Sequence, residues 1–329
     1  AADFLMDGLA KLEYRGYDSA GIAVYNDGAI AVRKKAGRLV NLAEEVKAHP
    51  VVGTLGIGHT RWATHGGPSD VNAHPHTDEK GNFAIVHNGI IENYMELKEE
   101  LLKKGYHFKS ETDTEVVAHL CADMYDGDFT STVRKVLARL RGSYSLVFMC
   151  KFEPDKIICS KKDNPLIVGL GQGENYIASD IPAILSYTRK TYIMNDGETA
   201  IVMKDNVWVT DLEGKPISKK VFEVNWDAEA AEKGGFEHFM LKEIYEQPKA
   251  IKDTMSCRIT KDGKHVHFEE LNWTPEDVKS IGKILITACG TAYHAGLLAK
   301  YFIEKMARIP VEVDIASEYR YRDPLTDSK

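Results

Sequence analysis

The chain is poor in the features that mark several whole classes of protein. Its 329 residues hold only five cysteines, Cys121, Cys150, Cys159, Cys257 and Cys289, with no CxxC pair. An odd, scattered set argues against a disulfide framework and fits reduced thiols, most of them small core residues, in a cytoplasmic protein. No apolar run approaches the ~20 residues needed to cross a bilayer, so no membrane span is expected. A formal net charge of -7 without a compensating Lys/Arg cluster excludes a general nucleic-acid binder. The chain also lacks an internal repeat, a low-complexity tract, an HExxH helix and a GxSxG elbow. Its start does not read as a signal peptide, because Phe4, Leu5, Leu9 and Leu12 recur at helical spacing among acids and a lysine.

What is present, 43% hydrophobic and 28% charged residues, is the composition of a globular protein, and the length predicts two domains. After the first helix, runs at 21–25 and 29–33 flank Asn26-Asp27-Gly28, a hairpin signal. Helices are predicted at 40–48, 93–104, 115–125 and 131–140, and strands at 55–60, 83–87, 143–151, 156–161, 166–170, 176–178, 191–194, 199–204 and 207–211. Strand-rich sequence around two groups of helices predicts face-to-face sheets with helices outside, an α+β arrangement. A polar segment, 227–235, leads into a helical run, 236–254, expected to bend or restart at Pro248. From Lys283 the pattern becomes α/β: an apolar strand at 283–288, the turn Cys289-Gly290-Thr291, a helix at 292–307 and a strand at 311–316. A strand followed by a Gly-Thr turn and a helix N-terminus is a candidate phosphate site.

Polar chemistry concentrates between His59 and Gly89, HTRWATHGGPSDVNAHPHTDEKGNFAIVHNG, which holds five of the twelve histidines. A metal site is the first reading, but Pro75 interrupts the His74/His76 spacing and no Cys pair joins it, so no metal is expected. The second reading uses the other residues. Arg61 offers a two-pronged clamp for a carboxylate, Thr64 and His65 offer short donors beside it, and Asp113 in Ser110-Glu111-Thr112-Asp113-Thr114-Glu115 offers an acceptor for an ammonium group. Asn88-Gly89 offers a side-chain amide and an unhindered N–H, the donors of an oxyanion hole. Taken singly, Asn88-Gly89 is a turn and Asp113 a helix cap; together they describe an α-amino acid site for acyl transfer. A nucleophile is missing. An N-terminal Cys or Thr that uses its own amine as base would supply one from upstream of Ala1.

Several ordered motifs closely resemble one family, that of the glucosamine-6-phosphate synthases. They are LEYRGYDSAG at 12–21, HTRWATHG at 59–66, NAHPH at 72–76, VHNGIIEN at 86–93, SETDTE at 110–115, KEIYEQP at 242–248, ACGTAY at 288–293 and ASEYRYR at 316–322. The resemblance covers essentially the whole chain. It implies an αββα N-terminal-nucleophile glutaminase domain followed by the start of an α/β sugar isomerase (SIS) domain. The boundaries expected are 1–225 for the class II glutamine amidotransferase domain, 226–255 for a linker and connecting helix, and 256–329 for the first part of the SIS domain.

Position by position, the resemblance implies glutamine binding by Arg61, Thr64, His65 and Asp113, and an oxyanion hole at Asn88 and Gly89. It further implies ammonia gating by Trp62, support of the nucleophile by Arg15 and a sugar-phosphate contact at Thr291, where Ala292 replaces the Ser of many members. The partners implied are glutamine and fructose 6-phosphate, with no cofactor, and a homodimer of the complete protein. The family's Cys-Gly-Ile-Val-Gly opening, which bears the nucleophile, does not occur in these residues, and neither does its Ser-Gln-Ser-Gly-Glu-Thr phosphate loop. The chain is therefore expected to be an inactive fragment. Two alternatives stand beside this reading: a non-enzymatic sensor of glutamine or sugar phosphate, and a class II amidotransferase with another acceptor domain, such as amidophosphoribosyltransferase.

Overall fold

A computed structural model of the chain describes residues 1–225, 235–256, 258–260, 265–266, 268, 271 and 273–325. These fall into two compact units, Ala1–Phe239 and Met240–Lys329. Most of the polar segment at 227–235, Cys257 and the last four residues lie outside the described residues.

The first unit opens with helix α1 (Ala2–Leu12), then the hairpin β1 (Ser19–Asn26) and β2 (Ala29–Ala36), helix α2 (Leu39–Ala48) and strand β3 (Leu55–Arg61). Asp27 and Gly28 both take positive φ, 45° and 82°, which gives the two-residue turn a twist that matches the strands it joins. β1 is central in the sheet β2-β1-β3, and its register sets Ser19 opposite Arg61. Its side chains alternate between faces as period-2 geometry requires: Ala20, Ile22 and Val24 pack with Leu9 of α1 and Leu42 of α2, whereas Ala23 packs on the opposite face with Ile57.

That opposite face meets a second sheet. Strands β4 (His76–Thr77) and β5 (Phe83–Ile91) precede helices α3 (Tyr94–Lys103), α4 (Glu115–Met124) and α5 (Phe129–Leu137); then come β6 (Gly142–Cys150), β7 (Lys156–Lys162), β8 (Ile167–Leu170), β9 (Asn175–Ala178), β10 (Lys190–Ile193), β11 (Thr199–Met203), β12 (Val207–Thr210) and β13 (Phe222–Glu223). The six-stranded sheet runs β12-β11-β7-β6-β5-β4 and a four-stranded sheet runs β13-β10-β8-β9. Ala84, Val86 and Met149 face Ala23 and Ile57 across the inter-sheet core. On the other side, Phe83, Ile85, Leu146 and Phe148 pack with Leu120 of α4 and Phe129 and Val133 of α5. The result is four layers, helix–sheet–sheet–helix. α1 also reaches the four-stranded sheet, since Phe4 and Leu12 pack on Tyr176, Ala183 and Ile184.

The second unit holds α6 (Phe239–Met255), α7 (Pro275–Ser280), β14 (Ile284–Ala288), α8 (Gly290–Met306), β15 (Val311–Ile315) and α9 (Ala316–Tyr321), with β14 and β15 parallel. One expectation is narrowed. α6 does not restart at Pro248 but runs through it as one helix; the missing N–H removes one bond of the ladder while the turns on either side persist. Cys289 is exposed, because it precedes α8 at a strand end, whereas Cys121, Cys150 and Cys159 are buried as expected of core thiols. Among the described residues no helix is long and apolar enough to cross a membrane.

Gly21 sits where the His74 carbonyl crosses β1; a Cβ there would lie 2.2 Å from that oxygen and 2.9 Å from the Arg33 carbonyl. Gly21→Ala should therefore lower stability by about 1–3 kcal/mol through overpacking. Denaturant unfolding checks this, and an unchanged midpoint would show that the 72–76 segment is free to move away.

Candidate active site

A cavity of about 340 Å³ opens between the edge of β3, the edge of β9, α1 and the inner face of β5 and β6. One side is apolar, with Leu5, Leu9, Ile177 and Ile184; the other is polar, with His59, Arg61, Asn88 and Asp113. Arg15, Trp62, Thr64 and Gly89 also line it, so seven of the expected residues of the first unit, Asn88, Gly89, Arg61, Thr64, Asp113, Trp62 and Arg15, converge on one space. His65 is not on its wall: the ring Nδ1 lies 3.4 Å from Thr64 Oγ1, the ring meets Tyr94 edge-on, and the His65 carbonyl accepts from Arg61. Thr291 belongs to the second unit, where it stands exposed in the first turn of α8.

Arg61 ends β3, its side chain on the inner face two residues beyond His59. Its Nη2 donates to the carbonyls of His65 and of Gly66, the latter at 3.1 Å, and its Nη1 is buried without a hydrogen-bond partner among the described residues. Burial lowers its pKa, against the carboxylates of Asp18 and Asp113; an arginine nevertheless stays charged. The turn that follows is tied down by Asp18, whose carboxylate accepts from the Ala63 N–H and, at 3.0 Å, from the Ser19 hydroxyl. Trp62 is 60% exposed and meets Tyr17 edge-on at 5.3 Å. Asn72 links this turn to the loop before Asp113, donating to the Gly67 carbonyl at 2.9 Å and accepting from the Glu111 N–H at 3.0 Å.

Asp113 does not cap α4. Its Oδ2 accepts from the Ile91 N–H at 2.7 Å, which leaves Oδ1 only a 3.5 Å contact with Thr114 Oγ1. The loop before it is held by Glu115, which accepts from the Ser110 hydroxyl at 2.6 Å and from the N–H groups of Ser110 and Lys109 at 2.7 and 2.9 Å. Burial works to raise the Glu115 pKa, but these bonds and His119 hold it down at about 2. On β5, Gly89 has φ +126°, and a Cβ there would lie 2.1 Å from the Ser143 carbonyl and 2.8 Å from Asn164 Nδ2. Only glycine fits this position. Asn88 Oδ1 pairs with His59 Nε2 at 2.8 Å.

Sequence reasoning missed His59, Asp18 and Glu115. His59 was findable, since strand alternation puts it on the face of Arg61. Asp18 had no local signal, for its partner Ala63 is 45 residues away. His59, His74 and His76 form a buried file, with ring centroids 4.5 Å and then 4.7 Å apart. Among the described residues no group of three or more His, Cys, Asp or Glu side chains is placed to hold a metal ion.

Residues 59–186 match the model of a glutamine amidotransferase domain and residues 278–329 that of the SIS domain. The structure of "the allosteric regulatory enzyme of purine biosynthesis" superposes with a TM-score of 0.57 at 28% identity, over 64% of this chain and 46% of that one. Fold and domain matches together define a class II, N-terminal-nucleophile type glutamine amidotransferase domain followed by the start of an SIS domain. The chain is 58% identical, over all 329 residues, to the glutamine–fructose-6-phosphate aminotransferase (isomerizing) of Caldanaerobacter subterraneus subsp. tengcongensis, and 56% identical over 327 residues to that of Clostridium tetani. Over its full length it is homologous to glutamine–fructose-6-phosphate aminotransferases (isomerizing). It spans 54% of the length of each of these two relatives.

The histidine file makes the first unit acid-sensitive. Burial pushes His59 down to about 4 and His76 to about 3, with His74 also well below its usual value. The unfolded chain protonates first, near pH ~6.5, so stability is full above that pH and falls as the pH drops toward about 4 and 3. Between pH ~6.5 and ~5 each such histidine should contribute up to about 1.4 kcal/mol per pH unit. His76→Gln should flatten the decline in denaturant midpoint over this window; an unchanged slope would contradict the depressed pKa.

Proposed function

We propose that the first unit binds glutamine and, in the complete protein, hydrolyses its side-chain amide, passing the ammonia to fructose 6-phosphate to give glucosamine 6-phosphate and glutamate. The observation that carries this reading is the buried, unpartnered Nη1 of Arg61, on a cavity shared with the Asp113 carboxylate and the Asn88-Gly89 pair. A cationic donor and an anionic acceptor lining one cavity suit the carboxylate and ammonium of one α-amino acid. Thr64 sits beside the Arg61 end, with the His65 carbonyl orienting the guanidinium.

The nucleophile is the thiol of an N-terminal cysteine, as the family resemblance implies; β3 and β9, end strands of their sheets that both border the cavity, have edges with which the segment bearing it can pair. Its sulfur attacks the amide carbon, and Asn88 Nδ2–H and the Gly89 N–H take the charge that forms on the oxygen. Ammonia leaves, and water then hydrolyses the thioester to release glutamate. Arg15, 3.6 Å from Asp180 at the cavity rim, supports the nucleophile, and Trp62 gates ammonia passage. Residues 1–225 form the amidotransferase domain, 226–255 the connection and 256–329 the first part of the isomerase domain, where Thr291 meets the sugar phosphate. The resemblance supports a homodimer of the complete protein, and the free thiols among the described residues support a cytoplasmic one.

Two variants of the full-length protein test this. Asn88→Ala should cut glutamine turnover ~100-fold or more, on the order of 3 kcal/mol, with little change in glutamine affinity; near-normal turnover would remove the oxyanion role. Arg61→Lys should instead weaken glutamine binding, because a point charge cannot copy a planar fork. An unchanged affinity in titration would remove the carboxylate role.

A further inference from the structure

We propose that His59 is a positioning residue for the reaction: its Nε2–H holds Asn88 Oδ1, so that the carboxamide turns Nδ2 toward the cavity. The inference rests on Asn88 serving as an oxyanion donor. A carboxamide has two orientations of nearly equal shape and opposite chemistry. With Nδ2 inward it donates to a developing oxyanion; with Oδ1 inward it presents a lone pair to that same negative charge. Which orientation holds is decided by whatever grips the outer end of the amide.

The grip here is the 2.8 Å contact between His59 Nε2 and Asn88 Oδ1. A neutral imidazole donates from one nitrogen and accepts at the other, so an oxygen at Nε2 fixes the Nε2–H tautomer. Nδ1 is buried and has no hydrogen-bond partner among the described residues, so nothing there competes to draw the proton away. The ring itself is immobilised: His59 is buried, it stacks on His74 with planes 27° apart, and His74 in turn meets His76, whose Nε2 is 3.1 Å from Thr112 Oγ1. Thr112 precedes Asp113 in the chain. The histidine file thus runs from the oxyanion donor to the loop that carries the ammonium acceptor, and it holds Asn88 in the productive orientation before glutamine arrives.

The test is a double-mutant cycle on glutamine hydrolysis by the full-length protein. His59→Phe keeps a ring to stack on His74 but removes the donor; kcat should fall about 10- to 100-fold, less than or equal to the loss of the Asn88 donor itself, with KM within about twofold. His59→Gln, which carries an N–H donor, should recover part of that loss. In the Asn88→Ala background, His59→Phe should have no further effect on kcat, because there is no carboxamide left to orient. Wild-type kcat in His59→Phe alongside an impaired Asn88→Ala overturns the role of His59 while leaving the oxyanion hole in place. Wild-type kcat in Asn88→Ala overturns both. A His59→Phe loss that persists undiminished in the Asn88→Ala background overturns the proposal too, since it reports damage to the fold and not orientation of Asn88.

Discussion

The site depends on the packing of β3 against β5 across the two sheets. On β3 the inward positions are Ile57, His59 and Arg61; on β5 they are Ala84, Val86 and Asn88. Both strands therefore grade from apolar to polar in the same direction, with the Ile57, Ala84, Val86 and Met149 core at one end and the His59–Asn88 hydrogen bond and Arg61 guanidinium at the other. The apolar end fixes the spacing between the sheets. The polar end inherits that spacing and uses it to bring groups 29 residues apart in sequence within hydrogen-bond reach.

Placing so much polarity between two sheets is costly unless each group is paired. The structure meets that cost locally. Asp18 and the His65 and Gly66 carbonyls fix the Arg61 turn, the Ile91 N–H fixes Asp113, and Ser110 and Lys109 satisfy Glu115. Among the described residues ring nitrogens of His59, His74 and His87 stay unpartnered, and so does Nη1 of Arg61, a charged donor at the cavity where a carboxylate is proposed to bind. Burial elsewhere has the opposite use: it keeps His59 and His76 uncharged, so that they act as neutral donors or packing rings beside a cationic arginine.

Much of this was legible in the residues themselves. The Asp27-Gly28 turn, the amphipathic runs that became α3 to α5 and the period-2 strands each carry a local signal; α3 and α4 formed within a residue of expectation, whereas α5 ends three residues early and β5 runs four residues further, to Ile91. Arg61, Asn88-Gly89 and Asp113 were legible as chemistry because their types are unusual in combination. The strand and helix pattern predicted face-to-face sheets with helices outside, and the family resemblance made that arrangement αββα; which strand faces which was set only by the fold. His59 and His74 read singly as packing histidines, and only the fold shows one ring gripping Asn88 and the other bracing it. Asp18 and Glu115 act through main-chain N–H groups, which leave no trace in composition. His65 shows the converse limit: its side chain lies off the cavity wall and its main-chain carbonyl does the orienting.

The central claim is that this cavity holds a whole α-amino acid by both of its charged groups. The most direct measurement is a calorimetric titration of the chain with L-glutamine, with 4-aminobutanamide, which lacks the carboxylate, and with glutaramic acid, which lacks the ammonium. Charge-assisted hydrogen bonds of about 1.5–3 kcal/mol predict that each truncated ligand binds roughly 10- to 100-fold more weakly than glutamine. Equal affinity for glutamine and 4-aminobutanamide would contradict the account, since Arg61 would then have no carboxylate to hold.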